Sequence, residues 1–241
     1  MSTNGITNGS TPKITLYTNH RCPWAHRAHI VIKELGLPYE EVIIDLDKPR
    51  EPWYLEVNPR GLVPSIKYND TILTESAIVS HFLCDAHPSH LVPSPGSPTA
   101  ALARARINFF VDTWVSKAGS YWFQVMRKEE GGERDALVQE FLGIVKKEIE
   151  PLLEGAEPYF GGSEKITLAE ALVAPFIVRI YAFARNGMLP ASMAEGLEAL
   201  PNFSKWAAKA IEHESVRYIW DEEGVVEGAR RRIASLKAQQ K

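Results

Sequence analysis

Cys22 is the residue with the most chemistry to offer in this chain, because Pro23 follows it and His20, Arg21, His26 and Arg27 surround it in sequence. A thiol directly before a proline that opens a helix sits at the helix N-cap. There the unpaired backbone N–H groups and the positive dipole end favour a thiolate. That placement predicts a nucleophile with a pKa below the ordinary thiol value. The other cysteine, Cys84, lies inside a helical pattern and reads as a packed small residue. Ala25 stands where a Cys-x-x-Cys redox pair would carry its second thiol, so any redox chemistry here must borrow the other sulfur. His20, Cys22, His26 and His29 raise the question of a metal site. A cap and successive helical turns point in different directions, and no metal is expected.

The elements that must position Cys22 follow from the pattern around it. Ile14 to Tyr17 reads as a strand, and apolar residues at Ala25, Ala28, Val31, Ile32 and Leu35 read as a helix closed by Gly36. Glu40 to Leu46 is a β-branched second strand, which makes a βαβ unit. Lys48 to Val57 is a Pro-rich loop with a short helix bearing Trp53 and Tyr54, and Asn58 to Leu73 reads as a hairpin turning at Asn69-Asp70. Glu75 to Ala86 has helical spacing, with Ala77, Ile78, Phe82 and Leu83 expected on its buried side. Four prolines between His87 and Pro98 mark a linker. Beyond it the pattern is helical: Thr99 to Lys128, Asp135 to Leu153, Leu168 to Arg185, Asn202 to Ile219, and a polar tail from Glu222. Thr167 and Glu170 have capping-box spacing. The expected organisation is a leader at 1–12, an α+β domain at 13–87, a linker at 88–98 and an all-helical domain at 99–241.

Composition narrows the functional classes. The chain has 241 residues, 45% of them hydrophobic and 24% charged, which suits a globular protein of two modest domains. A net charge of -3 gives no electrostatic case for nucleic acid or an anionic membrane. Two cysteines make no disulfide framework, so a reducing, cytoplasmic setting is expected. No apolar run is long enough to span a bilayer. Arg230 to Arg232 reads as a solvated helix face.

Taken together, the Cys-Pro helix, Val63-Pro64 before the hairpin, Glu75-Ser76 opening a helix and the all-helical second half resemble the cytosolic glutathione transferases. Within that superfamily, Cys22-Pro23-Trp24-Ala25 resembles the cysteine-bearing omega-like and fungal-type classes. The resemblance implies a thioredoxin-like first domain, an all-α second domain, glutathione as cosubstrate, no metal and a homodimer. It implies that Cys22, Pro23, Trp24, Val63, Pro64, Glu75 and Ser76 bind glutathione, with Pro64 cis and Val63 pairing its backbone with the cysteinyl unit. Glu75 would meet the ammonium, and Ser76 the carboxylate, of the γ-glutamyl group. Arg50 or Lys48 would meet the glycyl carboxylate. An acceptor site between the domains would draw on Trp114, Tyr121, Trp122, Phe123, Phe176, Tyr181 and Trp220; adjacent aromatics at 121–123 cannot all face one way, so at least one should meet the cleft or a partner. Three functions compete: thiol transfer through a Cys22–glutathione mixed disulfide, conjugation that forms a C–S bond on a reactive intermediate of secondary metabolism, and a non-catalytic binding role.

Overall fold

The computed structural model describes residues 11–238. The leader expected at 1–12 falls outside the described residues as far as residue 10. Four strands, β1 (Ile14–Thr18), β2 (Glu40–Ile43), β3 (Ser65–Tyr68) and β4 (Thr71–Thr74), form one sheet in the order β2-β1-β3-β4. β1 and β2 are parallel and are joined by α1 (Pro23–Glu34), whereas β3 runs antiparallel to both β1 and β4. β2 is shorter than its apolar run suggests, although the Ile44 amide still donates to the Thr18 carbonyl at 2.8 Å. The β3–β4 turn places Asn69 at φ 53°, a left-handed conformation that asparagine tolerates. α2 (Pro52–Val57) lies between β2 and β3, and α3 (Ser76–Ala86) follows β4.

α1 is the hub. Every residue from Ala25 to Ile32 is buried, including His26, Arg27 and His29, because α1 is held between α3 on one side and the helical half on the other. Polar side chains in that position need partners. His26 Nε2 donates to the Val216 carbonyl at 2.9 Å, and Arg27 Nε donates to the Leu172 carbonyl at 2.7 Å. The two halves are thereby joined by hydrogen bonds as well as apolar contact. On α3 the buried side is Ser76, Val79, Ser80, Leu83 and Cys84, whereas Ile78 is exposed. That differs from the expected face by about one residue of rotation.

The helical half begins at α4 (Ala100–Thr113). The single helix expected over 99–128 is α4, a wider π turn (Trp114–Ala118) and α5 (Tyr121–Arg127). The break falls at Gly119, where a Cβ would come within 3.3 Å of the Trp114 carbonyl oxygen. Likewise α6 (Gly132–Ile144) passes into a π turn and then a 3-10 turn over Glu150–Leu153, where Pro151 supplies no amide donor. The central apolar helix is α7 (Leu168–Arg185), followed by α8 (Ala191–Glu198), α9 (Pro201–Glu212), α10 (Glu214–Arg217) and α11 (Glu222–Ala238). α8 has no counterpart in the sequence reading. α9 and α10 part at His213, whose Nδ1 accepts from the Ser215 amide at 3.3 Å.

The start of α7 is a full capping box. Glu170 accepts from the Thr167 amide at 2.8 Å and the Thr167 hydroxyl at 2.6 Å, while Thr167 Oγ1 accepts from the Ala169 amide at 3.2 Å. Its carboxylate also accepts from the Phe160 amide at 2.7 Å and Trp206 Nε1 at 2.6 Å. One fully buried carboxylate thus ties α7, α9 and the preceding loop together. Among the described residues, no helix is long and apolar enough to cross a membrane.

Candidate active site

Cys22 is the N-cap of α1, with extended backbone (φ -83°, ψ 121°) and Pro23 as the first helical residue. Its Sγ points across to the Val63 carbonyl oxygen at 3.8 Å. The Val63–Pro64 peptide is cis. The turn before it is fixed by hydrogen bonds to the Leu62 carbonyl, from the Tyr54 hydroxyl at 2.5 Å and from Asn58 Nδ2 at 2.9 Å. Tyr54 and Asn58 also reach Ser65 Oγ, each at 3.1 Å, so the backbone facing the thiol is held from both ends. Sequence reading missed both residues, although an aromatic hydroxyl and an amide near a proline turn are ordinary means of satisfying a buried carbonyl.

A cleft of about 520 Å³ opens over this thiol. Its sheet-side wall is Cys22, Pro23, Trp24, Val63, Pro64, Glu75 and Ser76, with Arg50 and Asn58. Its helical wall is Trp122, Phe123, Met126, Arg179 and Phe183, and α11 contributes Val225, Gly228, Ala229, Arg232 and Ile233. Of the seven aromatic residues expected in the acceptor site, only Trp122 and Phe123 line the cleft. Trp122 stacks on Phe183 with ring centroids 5.6 Å apart. Trp114 is fully buried against Phe141 and Phe203, and Tyr121 lies beside Phe141. Tyr181 is core, while Phe176 packs edge-on under Trp24 at 4.8 Å. Trp220 stacks on His26 instead. The tail was expected to be polar, with Arg230 to Arg232 on a solvated face; its Val225 and Ile233 are buried, and Arg232 from the basic run borders the cleft.

Two buried arginines supply positive charge here: Arg27, which the sequence placed beside Cys22, and Arg179, which sequence reading did not assign. Arg179 on α7 donates to the Pro175 carbonyl at 2.7 Å, the His20 carbonyl at 3.0 Å and His26 Nδ1 at 3.1 Å. Arg27 lies over the Trp24 ring at 4.4 Å and donates to Ser76 Oγ at 3.2 Å. Burial pulls both guanidinium groups down, to about 9 for Arg27 and about 10 for Arg179, still above neutral pH, so both remain cations. Neither has a carboxylate within ion-pair distance among the described residues. Among the described residues, Arg27 Nη2 and Arg179 Nε are buried donors without a protein partner.

Burial pushes the Cys22 thiol up, and this outweighs the amides of Ala25 and Trp24 and the charges of Arg179 and Arg27, which all pull it down. The low pKa expected from the helix cap is therefore corrected. The cap argument counts α1 alone, whereas the helical wall removes water from the sulfur. The thiol is still half-buried rather than sealed, because it forms part of the cleft surface.

Glu75 and Ser76 meet the cleft from the far side. Glu75 holds φ 69°, an unusual conformation for a residue with a side chain, and its carboxylate pairs with Arg60. The two cations expected beyond β2 behave differently. Arg50 lines the cleft but donates to the carbonyls of Asp45 at 2.7 Å and of Lys48 and Gly61 at 2.8 Å each, strapping that loop to the turn before Val63. Lys48 is exposed, pairs with Asp45 at 3.4 Å and does not line the cleft.

A four-stranded mixed sheet with a Cys-Pro helix, followed by an all-helical region, is the glutathione transferase fold. Residues 21–86 match the family model described as "Glutathione S-transferase, N-terminal domain". Glutathione S-transferase omega-1 of Rattus norvegicus is 26% identical over 216 residues, spanning 86% of this chain and 83% of its own. Among solved structures, glutathione transferase Omega 1C from Trametes versicolor superposes with a TM-score of 0.77 at 26% identity, over 93% of this chain and 98% of that one. Omega 2S from the same fungus, solved in complex with 2,4-dihydroxybenzophenone, has a TM-score of 0.73 at 27% identity, over 92% of this chain and all (100%) of that one. Residues 21–86 thus carry a glutathione S-transferase N-terminal domain, and the chain, similar over most of its length to omega-class glutathione transferases, is a transferase enzyme.

Proposed function

We propose that this enzyme transfers glutathionyl groups through a mixed disulfide on Cys22, with residues 13–87 binding glutathione and residues 99–241 shaping the acceptor site. The observation that carries the reading is the position of Sγ, 3.8 Å from the Val63 carbonyl on the floor of a cleft that also takes in Glu75 and Ser76. Glutathione laid along Val63 as an added strand would bring its sulfur to Cys22. Glu75 would then receive the γ-glutamyl ammonium. Arg27 donates to Ser76 Oγ, which leaves the hydroxyl proton of Ser76 available for the γ-glutamyl carboxylate. Arg50 is the better cation for the glycyl carboxylate, because it lines the cleft and Lys48 does not.

The chemistry is two thiol–disulfide exchanges. The Cys22 thiolate attacks the glutathione sulfur of a mixed disulfide, forming Cys22–S–S–glutathione and expelling the acceptor as its thiolate, which takes a proton. A second glutathione, as thiolate, then attacks that sulfur, releasing glutathione disulfide and Cys22. Arg179 and Arg27 steady the anionic sulfur in each step. The apolar helical wall suits aromatic acceptors, in keeping with the dihydroxybenzophenone held by the Trametes relative. The two cysteines and the glutathione requirement fit a reducing cytoplasm. A homodimer would cover the exposed apolar side chains Leu102 and Phe109, seven residues apart on one face of α4.

The test compares the native enzyme with Cys22→Ser for glutathione-dependent reduction of a small mixed disulfide and for conjugation to an aromatic halide. Disulfide reduction is expected to fall at least about a hundredfold while conjugation persists or rises. Equal disulfide reduction by both proteins would overturn the mechanism and leave conjugation of an electrophile as the activity.

A further inference from the structure

His20, in the turn between β1 and α1, His29 on α1 and Glu41 on β2 bring three ligand atoms within 4.8 Å of one another. Glu41 Oε1 lies 2.6 Å from His20 Nε2 and 3.4 Å from His29 Nε2. Four-coordinate zinc with bonds of about 2.0–2.1 Å separates its ligands by roughly 3.3 Å, so the three atoms need to move little to share one ion. The outer partners fit as well. The Tyr39 hydroxyl lies 3.2 Å from His29 Nδ1, which is where a hydrogen bond fixes the ring so that Nε2 presents its lone pair. The Thr18 hydroxyl, 2.8 Å from His29 Nε2, would yield that position to the ion. The His20 and His29 rings are nearly perpendicular, with centroids 5.2 Å apart, and so converge without stacking. His29 is fully buried, whereas the side chains of His20 and Glu41 are 41% and 31% exposed, leaving a path from solvent to the fourth coordination position.

We propose that His20, His29 and Glu41 form a binding site for a divalent transition-metal ion of the zinc and cobalt type, distinct from the thiol cleft. Two imidazoles with one carboxylate select such ions over calcium or magnesium, which prefer all-oxygen ligands. Cys22 is not among the ligands, and His26, the other histidine of the segment, is committed to the Val216 carbonyl and Arg179. A bound ion would tie the turn that ends at Cys22 to β2, and thus act on the rigidity of the thiol's support. The proposal is independent of the reaction assigned to Cys22.

The experiment uses the full chain carrying Cys22→Ser, so that no exposed thiol competes for the ion. After chelator treatment and dialysis, zinc chloride is titrated calorimetrically, and cobalt chloride is titrated by visible absorption. One ion per chain, with the intense bands of four-coordinate cobalt, is expected. Affinity should fall at least tenfold in His20→Ala and in Glu41→Gln, two partly exposed positions whose variants are checked for folding by circular dichroism. Absence of stoichiometric binding overturns the proposal, as does binding that both variants retain. A cobalt spectrum of octahedral type that both variants leave unchanged assigns the ion to another set of ligands, and overturns it equally.

Discussion

Cys22 carries a nucleophile's surroundings and a raised pKa together, and the sign of its pH dependence follows. Burial holds the thiol protonated at neutral pH, and only the thiolate attacks, so the rate of the proposed disulfide reduction would be set by a small ionised fraction. Below the thiol pKa that fraction grows about tenfold per pH unit. The rate constant for alkylation of Cys22 by iodoacetamide should therefore climb with a logarithmic slope near one from acid through neutral pH, with no plateau before alkaline values. Arg179→Met removes a cation that lowers the thiol pKa and should displace this profile toward higher pH. An unchanged profile would show that Arg179 serves only its three hydrogen bonds. The local part of the site was legible in sequence: Cys22 before Pro23, Val63 before Pro64, and Glu75 beside Ser76 are adjacent pairs whose geometry is set by the backbone. Arg179 and the sense of the thiol's shift were not, because both depend on a helix about 150 residues further along the chain.

At the level of elements, α7 is fixed by Glu170 and the cleft is closed by α11. Glu170→Ala strips the acceptor from several buried donors and should cost about 3–5 kcal/mol, lowering the melting temperature by roughly 10 °C or more. Scanning calorimetry reads that directly. The capping box was visible in the sequence, since its two residues are three apart. Its reach to Trp206 and Phe160 was not, as no pattern in sequence links them. α11 shows why amphipathic reading failed there: seven of its seventeen residues are Glu, Arg or Lys, while Val225, Ala229 and Ile233, four apart, form one narrow stripe along the cleft. Ile233→Asp should weaken saturation by an aromatic electrophile about tenfold or more while leaving the KM for glutathione unchanged, because Ile233 belongs to the helical wall. Steady-state kinetics with each substrate varied in turn separates the two.

At the scale of the whole molecule, the cleft is assembled from the turn at Cys22, the hairpin approach, α5, α7 and α11, so it exists only when both halves are docked through α1. Fold class was readable because strand and helix periods differ and the strand pattern gives way to a helical one beyond the prolines. The acceptor wall was not, because an aromatic on a helix faces core or cleft according to which neighbour the helix meets. Phe109, 60% exposed, and Leu102, 57% exposed, are the residues that a second copy would cover. Leu102→Glu with Phe109→Glu should turn the proposed dimer into a monomer in light scattering, with the circular dichroism spectrum retained. The burial of Cys84 has a practical corollary. Its thiol is sealed in the core and pushed up to about 12, whereas Cys22 faces the cleft, so each native chain offers one addressable sulfur. A thiol-directed probe becomes a head count of competent sites: the intact mass gains one label per correctly folded chain, and a second label reports the fraction that has come apart.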